Sequence, residues 1–126
     1  MAKIQLGKRP ESFPAVVTFP MLDGSTGALS VKYKYRTRRE FGEFIDRMFN
    51  DAGEAPPADG KFSLGTLMSK TVDKNAQYLS EVLVGWDLDE PLTLQSLAEL
   101  ADELPAAAAA VMEKYRTAIT EGRLGN

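Results

Sequence analysis

The chain has 126 residues, 44% of them hydrophobic and 26% charged, enough for one globular core and not two. Its formal net charge of −3 gives the whole molecule no bias toward nucleic acid or an anionic membrane. It has no cysteine and no histidine, which excludes a disulfide framework, a thiolate nucleophile, a zinc-finger ligand set and an imidazole base.

The opening Met1-Ala2-Lys3-Ile4-Gln5 is too polar for a signal peptide. No apolar run reaches the ~18–20 residues of a membrane span. The expectation is a soluble cytosolic protein of one domain, residues 1–126. Residues 1–14 hold Pro10 and Pro14 and few apolar side chains, and read as an extended arm or a partial edge strand. Ala15-Val16-Val17-Thr18-Phe19 is β-branched and reads as a strand closed by Pro20. Asp23 to Gly27 is a turn cluster. From Leu29 the residues alternate, with Leu29, Val31, Tyr33 and Tyr35 on one face and Ser30, Lys32, Lys34 and Arg36 on the other. That is the period of a half-buried strand, so the two runs form a β-hairpin.

Thr37-Arg38-Arg39-Glu40 is a capping box, in which hydroxyl and carboxylate each serve the other's amide. The helix it starts carries Phe41, Phe44, Ile45, Met48 and Phe49 on one stripe and runs to about Asp51. Residues 53–60, with two prolines and two glycines, read as a flexible loop. Leu64, Met68, Val72, Leu79, Val82 and Leu83 then share a helical face, although Leu79 to Val84 fits a short strand equally well.

Gly85 is placed to end that helix in the left-handed conformation, and Trp86, the only tryptophan, to fold back as a core plug. Pro91 stops any helical continuation, and Thr93 suits the N-cap of the next helix. Leu94, Leu97, Ala101 and Leu104 form its stripe. Pro105 opens a last helix through five alanines, with Val111, Met112, Tyr115, Ala118 and Ile119 as its apolar side and Gly122 as its stop. The fold class expected is α+β, mainly helical: an N-terminal hairpin followed by about four helices. Phe41, Phe44, Phe49, Leu79, Trp86, Leu97 and Tyr115 are its expected core markers.

Catalysis would have to rest on carboxylates. Asp87, Asp89 and Glu90 are the densest acidic group, but they lack the spacing and central glycine of a calcium loop. No phosphate-binding glycine loop, serine elbow or acid/base pair is present. The expectation is no enzyme, no metal and no cofactor. Lys32 to Arg39 holds five cations interleaved with tyrosines. On a strand the two kinds of side chain point to opposite faces, which favours a solvated or protein-contact surface over a nucleic-acid surface.

The order of short motifs resembles a family. It runs from a hairpin with Asp23-Gly24, through Tyr35-Arg36-Thr37-Arg38-Arg39-Glu40-Phe41 and a helix, to Val84-Gly85-Trp86-Asp87. A leucine helix, Leu104-Pro105 and an alanine-rich last helix ending near Gly125-Asn126 follow. This is similar to the tail assembly chaperones of long-tailed bacteriophages and prophages, from about residue 13 to the end. The resemblance makes Trp86-Asp87 and Leu104-Pro105 fold markers and brings no catalytic residues.

The resemblance implies a non-catalytic protein of the host bacterial cytoplasm, absent from the mature virion. It implies binding to the tape measure protein, recruitment of tail tube subunits, a tendency to homo-oligomerise, and in some members a longer frameshifted form. A chaperone of this kind needs apolar grooves with charged rims, and methionine suits adaptable contacts. Lys32, Lys34, Arg36, Met68 and Met112 are the candidate partner contacts. The alternatives are a small nucleic-acid-associated regulator using the Lys32–Arg39 patch, and a virion head–tail completion protein.

Overall fold

The computed structural model describes residues 5–7, 9–50 and 64–124, with side chains described in these ranges except at 49–50 and 64–69. The described residues form, in chain order, β1 (Ser12–Pro20), β2 (Thr26–Lys34), α1 (Arg38–Asn50), α2 (Leu64–Val82), β3 (Leu83–Trp86), α3 (Leu94–Glu103) and α4 (Pro105–Glu121). The architecture is α+β: an antiparallel hairpin and then helices. The expected loop at 53–60 lies outside the described residues, as do the side chains of Phe49 and Met68.

β1 and β2 pair without a break from Ser12↔Lys34 to Pro20↔Thr26. The turn between them is held by Asp23, whose carboxylate accepts the Ser25 amide at 2.9 Å. Gly24, at φ 87, takes the left-handed angle there. The Tyr35 amide donates to the Glu11 carbonyl at 3.0 Å. By the alternation of an antiparallel ladder, odd-numbered residues of β1 therefore bond to β2 and even-numbered ones face outward. Pro14 and Pro20 are both even, so neither removes a ladder hydrogen bond. This lets the strand begin at Ser12, so that the last residues of the stretch read as an arm or a partial edge strand are edge strand.

One face of the hairpin is buried through Ala15, Val17, Phe19, Leu29, Val31 and Tyr33. Against it lies α4, with Ala107, Ala108, Val111, Tyr115 and Ile119 buried. Ala107 and Ala108 are fully enclosed, and their small side chains let the helix backbone approach the sheet. Tyr33, fully buried, donates its hydroxyl to the Val111 carbonyl at 2.7 Å. The same core takes in Phe41, Phe44 and Met48 of α1, Ala76, Leu79 and Val82 of α2, and Leu97, Leu100 and Ala101 of α3. Enclosing one such large side chain stabilises the fold by about 1.5–3 kcal/mol.

The helix ends follow local chemistry. At α1 the Glu40 amide donates to the Thr37 hydroxyl at 3.1 Å, and the Thr37 amide to the Glu40 carboxylate at 2.9 Å. Thr93 caps α3, accepting the Ser96 amide at 3.1 Å while the Ser96 hydroxyl accepts the Thr93 amide at 2.9 Å. Pro105 opens α4, and Gly122, at φ 71, closes it.

The junction after α2 departs from expectation. Gly85 does not end a helix. It lies in β3 and has no positive φ. The physical reason is the free edge of β2, whose ladder groups pair with Leu83, Gly85 and Trp86 and satisfy more of the backbone than a helix cap would. Asp87 extends this pairing. Its amide donates to the Ser30 carbonyl at 3.0 Å, and its carboxylate accepts the Ser30 amide at 3.1 Å. Trp86 is consequently not a fully buried plug. It lies half-buried at the rim of the core and donates its indole N–H to the Glu90 carbonyl at 2.8 Å. Leu94, placed on the buried stripe by its spacing, is 55% exposed.

Candidate functional site

A largely apolar cleft lies between α1, α2 and α4 and encloses about 490 Å³. The capping box sets where α1 begins, and so which stripe faces inward. Phe41 and Met48 are buried, and Ile45 is half-buried at the opening. Tyr78 of α2 and Met112 of α4 form the facing walls. Burial pushes the Tyr78 phenol up to about 12.

Charge stands at the exposed edge. Lys74, Glu113 and Arg116 stand there. Arg116 Nε donates to Glu113 at 3.0 Å, and this bond holds the Glu113 carboxyl below the usual carboxylate range. An opening with methionine and aromatic walls and a charged rim suits an apolar polypeptide segment.

Beside the cleft is a buried cation. Arg36 retains only 7% exposure. Its Nη1 donates to the Glu81 carbonyl and to the Tyr115 hydroxyl, both at 3.0 Å. Its Nη2 lies 3.4 Å from the Glu81 carboxylate, and its Cζ sits 4.3 Å from the centre of the Phe44 ring. Arg47 shares the Glu81 carboxylate at 3.2 Å. This arrangement fastens the end of β2 to α1, α2 and α4. The phenol of Tyr115 is pushed up by burial, while the bond from Arg36 pulls it down.

A family model for phage tail assembly chaperones matches residues 1–126, the whole chain. The chain belongs to the phage tail assembly chaperone family. No curated protein and no solved structure matches it.

The candidate partner contacts of this chaperone are dispersed. Met112 lines the cleft. Lys32 and Lys34 are exposed on the outer face of the hairpin, with the alternate residues of β2 turned to the core. Arg36 is withdrawn from the surface, a correction with a simple cause. β2 ends at Lys34, so the strand alternation does not reach position 36, and the chain turns inward to α1. The Met68 side chain lies outside the described residues. Among the expected core markers, Phe41, Phe44, Leu79, Leu97 and Tyr115 are buried and Trp86 is half-buried.

Sequence reasoning missed Tyr78 and the Glu113–Arg116 rim. Lys74 and Tyr78 stand at i and i+4, as do Met112 and Arg116. Each pair sets a cation one turn from a large wall residue, the only local mark of this cleft.

Proposed function

We propose that this chaperone holds an apolar segment of the tape measure protein in the cleft between α1, α2 and α4. In this reading it keeps that client soluble, recruits tail tube subunits to it, and leaves before the virion is finished. It works in the host cytoplasm as a homo-oligomer and without catalysis, residues 1–126 acting as one unit. The observation that carries the reading is the cleft itself. Phe41, Ile45, Met48, Tyr78 and Met112 form its walls, with Lys74, Glu113 and Arg116 beside them. Burying such walls against a client helix is favourable at about 25 cal/mol per Å². Methionine walls adapt to a varied apolar sequence.

The nucleic-acid alternative loses its central cation, since Arg36 is tied to Glu81 and Tyr115. Retention on DNA that weakens with salt would favour that alternative. Presence in purified particles would favour a head–tail completion protein.

The test is co-expression with a tape measure fragment and with tube protein. The native chain should co-purify with the fragment. Ile45→Glu and Met112→Glu, each placing a charge at the opening, should reduce recovery by at least about tenfold, with circular dichroism confirming that each variant is still folded at the temperature of the assay. Full recovery with both variants would remove the cleft from the reading. Failure of the native chain to retain the fragment would remove the client itself.

A further inference from the structure

A second cleft, of about 230 Å³, lies between the β3–α3 connection and α3. Its apolar walls are Trp86 and Leu88 on one side and Leu100 and Leu104 on the other. Three carboxylates line it as well: Glu90, Glu99 and Glu103. Among the described residues no cation lines it and none of the three carboxylates makes an ion pair. Leu88 keeps 39% of its surface exposed, and Val84 and Leu94, flanking the same connection, keep 52% and 55%.

The charge pattern of the chain points to this end. From Asn75 to Glu113 there are eight carboxylates and no lysine or arginine; Glu81 and Glu113 pair with arginines elsewhere and Asp87 accepts the Ser30 amide, which leaves Asp89, Glu90, Glu99, Asp102 and Glu103. All 15 cations lie outside that stretch. The placement also opposes local physics. Glu99 and Glu103 stand four apart on α3, where like charges repel. Asp102 and Glu103 occupy the last turn, where the helix dipole favours cations, and α3 has none there. α4, which follows at once, takes no side-chain cap from them. The N-terminal dipole of α4 offsets Asp102 and Glu103 in part, but among the described residues no cation pairs with Glu90, Glu99 or Glu103, and carboxylates left unpaired beside apolar walls mark a surface that positive charge would complete.

We infer that this cleft docks a cationic amphipathic segment of another protein, an apolar side chain seated between Trp86 and Leu100 with flanking lysines or arginines on Glu90, Glu99 and Glu103. Charge complementarity selects that occupant over a neutral apolar helix. The inference is independent of the client cleft between α1, α2 and α4, which lies elsewhere on the molecule and has cations at its rim.

Trp86 is the only tryptophan, so its fluorescence reports this cleft alone. The native protein is titrated with a helical leucine–lysine peptide, a lysine–serine peptide of equal charge and a leucine–glutamate peptide. The leucine–lysine peptide should shift the Trp86 emission saturably, with affinity falling as salt is raised. The other two should bind at least about tenfold more weakly. The double variant Glu99→Lys, Glu103→Lys should lose at least about tenfold in affinity for the leucine–lysine peptide. The milder Glu99→Gln, Glu103→Gln should lose part of it with an unchanged thermal midpoint. Equal binding of the lysine–serine peptide would reduce the cleft to a bare acidic surface and overturn the inference. So would unchanged affinity in both variants. Light scattering in which charge reversal dissociates an oligomer, with peptide binding intact, would assign the cleft to a second copy of the chain and overturn it too.

Discussion

Arg36 and Tyr115 meet inside the molecule, the guanidinium donating to the phenol oxygen at 3.0 Å and the phenol donating onward to the Lys34 carbonyl at 2.9 Å. The two residues are 79 positions apart. Tyr115→Phe removes an acceptor from one partner and a donor from the other without emptying the core. It should cost about 1–3 kcal/mol, read from the denaturant midpoint. Combined with Arg36→Gln, the pair should show a coupling of about 0.5–3 kcal/mol in a double-mutant cycle. Strict additivity would mean that the two side chains stabilise the fold separately.

The α1 capping box should be separable from client binding. Thr37→Ala removes the acceptor of the Glu40 amide and should cost about 0.5–2 kcal/mol, with tape measure fragment recovery unchanged. Loss of recovery at native stability would make Thr37 a contact.

The same box predicts a pH dependence. The bond from the Thr37 amide holds the Glu40 carboxyl below its ordinary value. A carboxyl depressed in the folded state stabilises that state above its unfolded value, and the contribution fades as pH falls through the folded value. Native protein should therefore exceed Glu40→Gln in stability at neutral pH, and the gap should close in acid. A gap that is constant with pH would show that the carboxylate charge plays no part.

Trp86 should matter less than a fully buried aromatic. It is half-buried and holds the connection through the Glu90 carbonyl. Trp86→Ala should cost about 1–3 kcal/mol, below the ~3–5 kcal/mol of a fully enclosed ring. Trp86→Phe, which keeps a ring but loses the hydrogen bond, should cost about 0.5–1.5 kcal/mol. Thermal denaturation measures both. Equal losses would place the whole effect in the hydrogen bond.

Lys32 and Lys34 occupy the solvent face of β2. Reversing both to glutamate should leave stability within about 0.5 kcal/mol of native and should lower any weak retention on DNA. A large loss of stability would mean that this face is covered by another copy of the chain.

Elements whose cause lies within a few residues were legible in the chain. The alternation from Leu29 to Tyr33, the Thr37–Glu40 box, Thr93, Pro105 and Gly122 each act through hydrogen bonds or packing within one turn or one pleat. The family resemblance rests on the order of such local signals. Tertiary structure decided what depends on distant atoms. Gly85 and Trp86 join a strand because the edge of β2, more than fifty positions earlier, offers them partners. Arg36 goes inward because Glu81 and Tyr115 are there to receive it, 45 and 79 positions away. The client cleft exists only where helices far apart in sequence lean together, as α1, α2 and α4 do around Tyr78. Periodicity names the face a side chain takes on its own helix, but which faces meet is set by packing the whole core at once.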